Sequence, residues 1–138
     1  MTHHDIEIVQ NKYQTAGNWL FGDSPEMQDS LADLVFKGIK TATSCSFASY
    51  QQSGSNISIG NKHLVLNSQN KPICTVRIIA LHLITFSEMT TELAWKEGEG
   101  DRSVKHWQQE HQSFFEREGV FFPEMEVVVI EFEVIDLL

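Results

Sequence analysis

The clearest alternation of apolar and polar positions lies near the end of the chain. Val128, Ile130, Phe132 and Val134 alternate with Glu131 and Glu133, and a period of two predicts a strand over 127–135 with one face buried. Ile73 to Ile84 is apolar and rich in β-branched residues, which predicts a long strand. His63 to Leu66 predicts a short one, and the turn residues Ser68-Gln69-Asn70-Lys71 join the two as a hairpin. Thr41 to Ser49, rich in Thr and Ser, is expected to be a further strand, and the polar, Gly-containing stretch 51–61 a surface loop.

Helical spacing occurs in four other places. Ile6, Val9 and Tyr13 share a face over 5–16, ended by Gly17. Ser24 as cap and Pro25 at the first helical position open a helix over 25–37, with Met27, Leu31, Leu34 and Val35 at helical spacing and Gly38 at the exit. A short helix is expected over 91–96. Another spans 103–118 with Ser103 as its cap, and places Val104, Trp107, His111, Phe114 and Phe115 on one face. Short strands with tight turns, inserted helices and a last strand that returns late predict a single α+β domain over 1–138. Its strands at 41–84 and 127–135 would form a small barrel of five to six mostly antiparallel strands, with helices at 5–37 and 91–118 around it.

With 138 residues, 41% of them hydrophobic, the chain is long and apolar enough for one core. No apolar run reaches the roughly 20 residues of a membrane helix. Met1-Thr2-His3-His4-Asp5 lacks the pattern of a signal peptide, so cytoplasm is the expected compartment. Cys45 and Cys74 are expected to be reduced, and Cys45 to be a small core residue rather than a nucleophile. The net charge of −9 argues against a general polyanion or duplex-DNA binder. Its distribution is uneven: residues 34–87 contain five bases and no acid, between two acidic ends. Either the lysines are solvated singly, or one basic face sits on an acidic body and suits a small anionic or polar ligand.

Two segments carry candidate chemistry. In Gly38-Ile39-Lys40-Thr41-Ala42-Thr43, a cation stands three residues from a hydroxyl where a helix gives way to a strand. Lys40 either satisfies the last helix carbonyls or faces a substrate. Glu97-Gly98-Glu99-Gly100-Asp101-Arg102-Ser103 places three carboxylates and two glycines before a capped helix, either as a solvated loop or as a backbone built to approach a ligand. His111 points with the aromatic face of that helix. The five-residue spacing of His106 and His111 does not suit two ligands on one helix turn, so no metal of zinc type is expected, and no cofactor.

Taken together, these motifs resemble the ASCH domain family, which is related to PUA domains. Gly38-x-Lys40-x-x-Thr43 is similar to the family signature. Phe21-Gly22-Asp23-Ser24-Pro25 and the block Glu97 to Ser103, followed by Trp107, His111, Phe114 and Phe115, are similar to its longer bacterial members. The likeness runs from about Trp19 to Ile135. It implies a small β-barrel with a cleft at one side, and a role in RNA binding linked to translation or RNA metabolism. Some members are ribonucleases. Short bacterial members resemble amidohydrolases that deacetylate 4-N-acetylcytidine with a Lys, a Thr and a Glu, which fall here on Lys40, Thr43 and Glu97. This chain is longer than those members, and they lack its Gly-rich acidic block.

The resemblance therefore implies a pocket for a nucleoside or single-stranded RNA. Its catalytic candidates are Lys40, Thr43 and Glu97. Thr41, Glu99, Asp101, Arg102, Trp107 and His111 are candidates for binding, with Trp107 or Phe47 stacking on a base. As an amidohydrolase, Thr43 would be the nucleophile, Lys40 its base and Glu97 an acid facing the leaving group. A Lys starts from a pKa of about 10.4, so lowering it by two to three units needs about 3–4 kcal/mol. A tight Lys40–Glu97 pair would oppose this and make Lys40 a fixed charge that stabilises an oxyanion. The alternatives are a non-catalytic RNA-binding module and a ribonuclease.

Overall fold

Every helix of the described chain begins at a hydroxyl that accepts a backbone amide three residues on. Ser24 receives Met27 N at 3.2 Å, Ser46 receives Ser49 N at 3.1 Å, Thr90 receives Leu93 N at 3.2 Å and Ser103 receives His106 N at 3.0 Å. Each satisfies an amide that the first helical turn leaves without a partner. The computed structural model describes Thr15 and residues 17–138; the helix predicted over 5–16 lies outside the described residues. In order, the elements are β1 (Gly17–Trp19), α1 (Pro25–Phe36), β2 (Ala42–Ser46), α2 (Phe47–Gln52), β3 (Lys62–Leu66), β4 (Pro72–Thr85), a 3-10 turn (Phe86–Glu88), α3 (Thr91–Glu97), α4 (Val104–Arg117) and β5 (Glu126–Leu137).

The five strands form one mixed sheet in the order β1-β3-β4-β5-β2, curled into a half-barrel. β1 runs parallel to β3 and the other pairs are antiparallel. β4 carries two register shifts against β5, at Thr75/Val76 and Ile78/Ala80. Such irregularities bend a strand and increase its twist, which suits a long strand that pairs with β3 over its first half and with β5 throughout. The β3–β4 turn is closed by Asn67, whose side chain accepts the amides of Gln69 and Lys71 at 2.9 and 3.0 Å. One expectation is corrected, and one strand was not foreseen. The strand expected to reach Ser49 stops at Ser46, where the Ser46 cap starts α2 and Phe47 stacks on Tyr50 at 6.2 Å. β1, three residues long, is too short to show any period in the sequence.

Two apolar clusters flank the sheet. One joins Ala42, Val127 and Val129 to Phe86, Leu93, Trp107 and Phe115 beneath α3 and α4. The other joins Val65, Cys74, Val76 and Phe132 to Phe21, Leu31 and Val35 beneath α1. Among the described residues, three of the five cations of the basic middle are paired with acids. Lys37 pairs with Asp33 at 2.7 Å, Lys40 with Glu99 at 2.8 Å and Arg77 with Glu133, so acids near or beyond the segment's ends fold back onto its cations.

One backbone contact positions the site. Gly98 ends α3 with φ +74, and a Cβ there would lie 2.6 Å from the carbonyl oxygen of Ile39 and 3.0 Å from Lys40 Cα. Only glycine lets the end of α3 close on the Ile39–Lys40 backbone. Gly38 shares the positive φ, at +75, but has open space around it. Gly98→Ala is therefore expected to cost about 3 kcal/mol or more, from the left-handed backbone plus the clash, and Gly38→Ala about 1 kcal/mol from the backbone alone. Equilibrium urea unfolding of the two variants checks this; equal losses would remove the close approach as the cause.

Candidate functional site

The chain from Gly38 to Thr41 is stitched to the end of α3 before any side chain meets. Thr41 donates both its amide and its hydroxyl to the carbonyl of Lys96, at 2.7 and 3.3 Å. Arg102 donates Nε to the Trp95 carbonyl at 2.8 Å and Nη2 to the Ile39 carbonyl at 3.2 Å, and lies 3.7 Å over the Trp95 ring. Lys40 is thereby held facing the two acids on either side of Gly98.

Lys40 is 1% exposed, as is Glu97. Its ammonium lies 2.8 Å from Glu99 Oε2 and 3.5 Å from Glu97 Oε1, and donates to the Glu97 carbonyl at 3.3 Å. The Phe21 ring lies 5.7 Å away. A buried ammonium without such partners would cost several kcal/mol. The second oxygen of Glu97 accepts Trp107 Nε1 at 2.6 Å and the Ser44 hydroxyl. His111 lies flat against Trp107, ring centroids 4.3 Å apart. Its Nδ1 meets the Trp107 carbonyl at 2.9 Å. A carbonyl only accepts, so Nδ1 carries a proton and Nε2 faces Glu97 Oε1 at 3.5 Å. Contacts to Phe21 and Trp107 place this polar cluster between the two apolar ones.

The cluster sets its own charges. Burial opposes ionisation of Glu97, but the charges of His111 and Lys40 and the hydrogen bonds of His111 and Ser44 outweigh it and bring its pKa down to about 2. Burial alone would lower the His111 pKa; the Glu97 charge and hydrogen bond, with Glu99 beyond, raise it instead. Glu97 is thus a carboxylate at every ordinary pH. A carboxyl group held this low is a poor general acid, the role the resemblance implied for it. Lys40 contacts both Glu97 and Glu99, the paired arrangement expected from the sequence to make it a fixed charge.

A hollow of about 70 Å³ opens over this floor. Lys40, Thr43, Ser44, Glu99 and His111 form its polar side, and Phe21, Met27, Leu31 and Phe114 its apolar walls. At about 10–15 Å³ of such volume per water, it encloses several waters or the edge of one small ring. It shares Phe21, Gly22, Thr43, Ser44 and Phe114 with an open groove of about 350 Å³ along β1 and β2. Together they offer space of the order that small ligands use.

Of the nine residues expected from the sequence, Lys40, Thr43, Glu99 and His111 line the hollow, and Glu97 lies directly behind it. The other four are placed differently. Thr41 and Arg102 hold the backbone together. Asp101 is exposed and accepts the Ser103 amide at 3.0 Å. Trp107 is buried between His111 and Phe86, so it has no free face for a base. Phe47 is half-buried and stacked on Tyr50. Ser44 and the α4 face Glu110, Phe114 and Arg117 were missed. That face was legible: 110, 111, 114 and 117 follow helical spacing. The Cys45 thiol is pushed up to about 11 by burial and by the charges of Glu118 and Glu97, and Cys74 to about 12 by burial; neither is a ready nucleophile.

Donor atoms of Glu97, Glu99 and His111 lie within 4.8 Å of one another. The set could ligate a cation, but the Lys40 ammonium already contacts both carboxylates, and a metal would have to displace it.

Two outcomes follow for stability. Glu97→Gln leaves the His111 and Lys40 charges short of a partner and is expected to cost about 3–5 kcal/mol in chemical unfolding. For pH, the lowered Glu97 group stabilises above its unfolded value near 4.5 and loses this as pH falls toward 2. The raised His111 group stabilises below its unfolded value near 6.5 and loses this as pH rises through its higher folded value. Stability is expected to peak between about 4.5 and 6.5, and His111→Gln to flatten the alkaline side of the profile. An unchanged alkaline slope would show that His111 and Glu97 are not coupled.

The comparisons with known proteins agree with this architecture. The crystal structure of the ASCH domain from Lactobacillus crispatus JV V101 superposes with a TM-score of 0.82 at 29% identity, covering 99% of this chain and 87% of that one. Protein EF3133 from Enterococcus faecalis V583 superposes with a TM-score of 0.81 at 28% identity, covering 98% and 92%. No curated protein matches the sequence significantly. The family model described as "ASCH domain" matches residues 17–136, and the chain belongs to the ASCH domain family.

Proposed function

We propose that the cleft receives the base of a nucleoside, edge first, and that the chain hydrolyses the exocyclic amide of an acylated cytidine such as 4-N-acetylcytidine. One observation carries this reading: the Thr43 side chain and the buried, ion-paired Lys40 share the lining of a hollow walled by Phe21, Met27, Leu31 and Phe114. A flat ring fits between apolar walls, and a polar floor recognises its edge.

In this reading Thr43 Oγ attacks the acyl carbon and its proton passes to Glu99, the carboxylate of the buried cluster that reaches the hollow. Lys40 stabilises the developing oxyanion. The carbon–nitrogen bond breaks, the amine takes up the proton, and water then releases the acid from threonine. Glu97 and His111 hold Lys40 and the floor in place.

Purified protein incubated with 4-N-acetylcytidine is expected to release acetate and cytidine. Thr43→Val, which removes only a hydroxyl, is expected to lower the rate by about three orders of magnitude or more, as loss of a nucleophile does. It should keep the unfolding midpoint. Lys40→Ala is a poorer test, because it strands two carboxylates and destabilises the fold. Acetate release that persists in Thr43→Val would remove Thr43 as nucleophile. Binding without any release by the wild type would leave a nucleoside pocket that does no chemistry.

A further inference from the structure

Among the described residues three cations line the cleft, and each is already matched. Lys40 contacts Glu99 at 2.8 Å and Glu97 at 3.5 Å, His111 faces Glu97 at 3.5 Å, and Arg117 meets Asp23 at 2.7 Å across the rim. Glu110 also lines the hollow, and it has no cation within 4 Å among the described residues. With His111 charged, these groups amount to three positive and four negative charges. The adjoining groove, along Trp19, Leu20, Cys45, Ile57 and Ile130, is lined by no charged side chain among the described residues.

We infer that the cleft takes an uncharged ligand, a nucleoside or a free base, and turns away its phosphorylated forms and RNA strands. The inference rests on the nucleoside reading above and narrows it. A phosphate monoester carries about −1.5 to −2 charges near neutral pH. At the mouth it would meet Glu110 and find no spare cation. Drawing Arg117 away from Asp23 gains nothing, because it leaves that carboxylate unpaired beside the phosphate. The Lys40 ammonium lies at the floor and is only 1% exposed, so a phosphate held at the mouth does not reach it. A strand would also need a line of cations along its path, and the described residues of the groove supply none. A ribose and an apolar substituent, by contrast, meet only uncharged walls there.

Calorimetric titration of the full chain with cytidine, 4-N-acetylcytidine, their 5′-monophosphates and a short single-stranded RNA tests this at low salt. The nucleosides are expected to bind and each 5′-phosphate to weaken binding about tenfold or more. Glu110→Gln is expected to narrow that gap several-fold, while Glu116→Gln, exposed on the same helix away from the hollow, leaves it unchanged. Monophosphates or RNA that bind as tightly as the nucleosides, or tighter, overturn the inference and leave the nucleoside reading standing. If neither nucleosides nor nucleotides bind, the nucleoside reading falls and this inference with it.

Discussion

The site depends on one buried charge. Lys40 is among the most deeply buried large side chains of the described protein, and an ammonium there is tolerable only with anions in contact. Those anions, Glu97 and Glu99, flank Gly98, whose lack of a side chain lets α3 close on the Ile39–Lys40 backbone. The requirement then propagates outward. One oxygen of Glu97 accepts from Trp107 and Ser44 and the other faces the His111 and Lys40 charges, so α4 and β2 are drawn to the same point. The geometry of the cleft floor thus follows from electrostatic need more than from shape.

The same constraint decides the chemistry. A lysine held by two carboxylates is a poor base and a good fixed charge, and a carboxylate with its pKa brought down to about 2 is a poor acid. The proposed reaction therefore uses the hydroxyl of Thr43 and the more exposed carboxylate of Glu99, 22% exposed. The paired floor also leaves little net charge facing a ligand, which is the ground for proposing a neutral base rather than a phosphate.

Much of this was legible in the sequence. The Ser24-Pro25 cap, the alternation from Val128 to Val134 and the turn at Ser68–Lys71 each encode local geometry, and each element formed where expected. β1 was not legible, because three residues show no period and its pairing with β3 is decided by tertiary contact. The Ser/Thr-rich run up to Ser49 pointed to a strand throughout, but the Ser46 hydroxyl caps a helix instead. In the site, the motifs supplied Lys40, Thr43, Glu97, Glu99 and His111. They did not reveal that Arg102 and Thr41 are spent on backbone carbonyls, since spacing says nothing of which acceptors a folded loop leaves open. Nor did the basic middle segment show that Lys37, Lys40 and Arg77 would be matched by acids outside it.

A structure of the protein with cytidine or 4-N-acetylcytidine bound tests the central claim most directly. The base should lie between Phe21 and Phe114 with its polar edge toward Glu99, Lys40 and Thr43, and its ribose toward the uncharged groove. A nucleoside seated elsewhere, or a Lys40 ammonium that has left both carboxylates to meet it, would contradict the account.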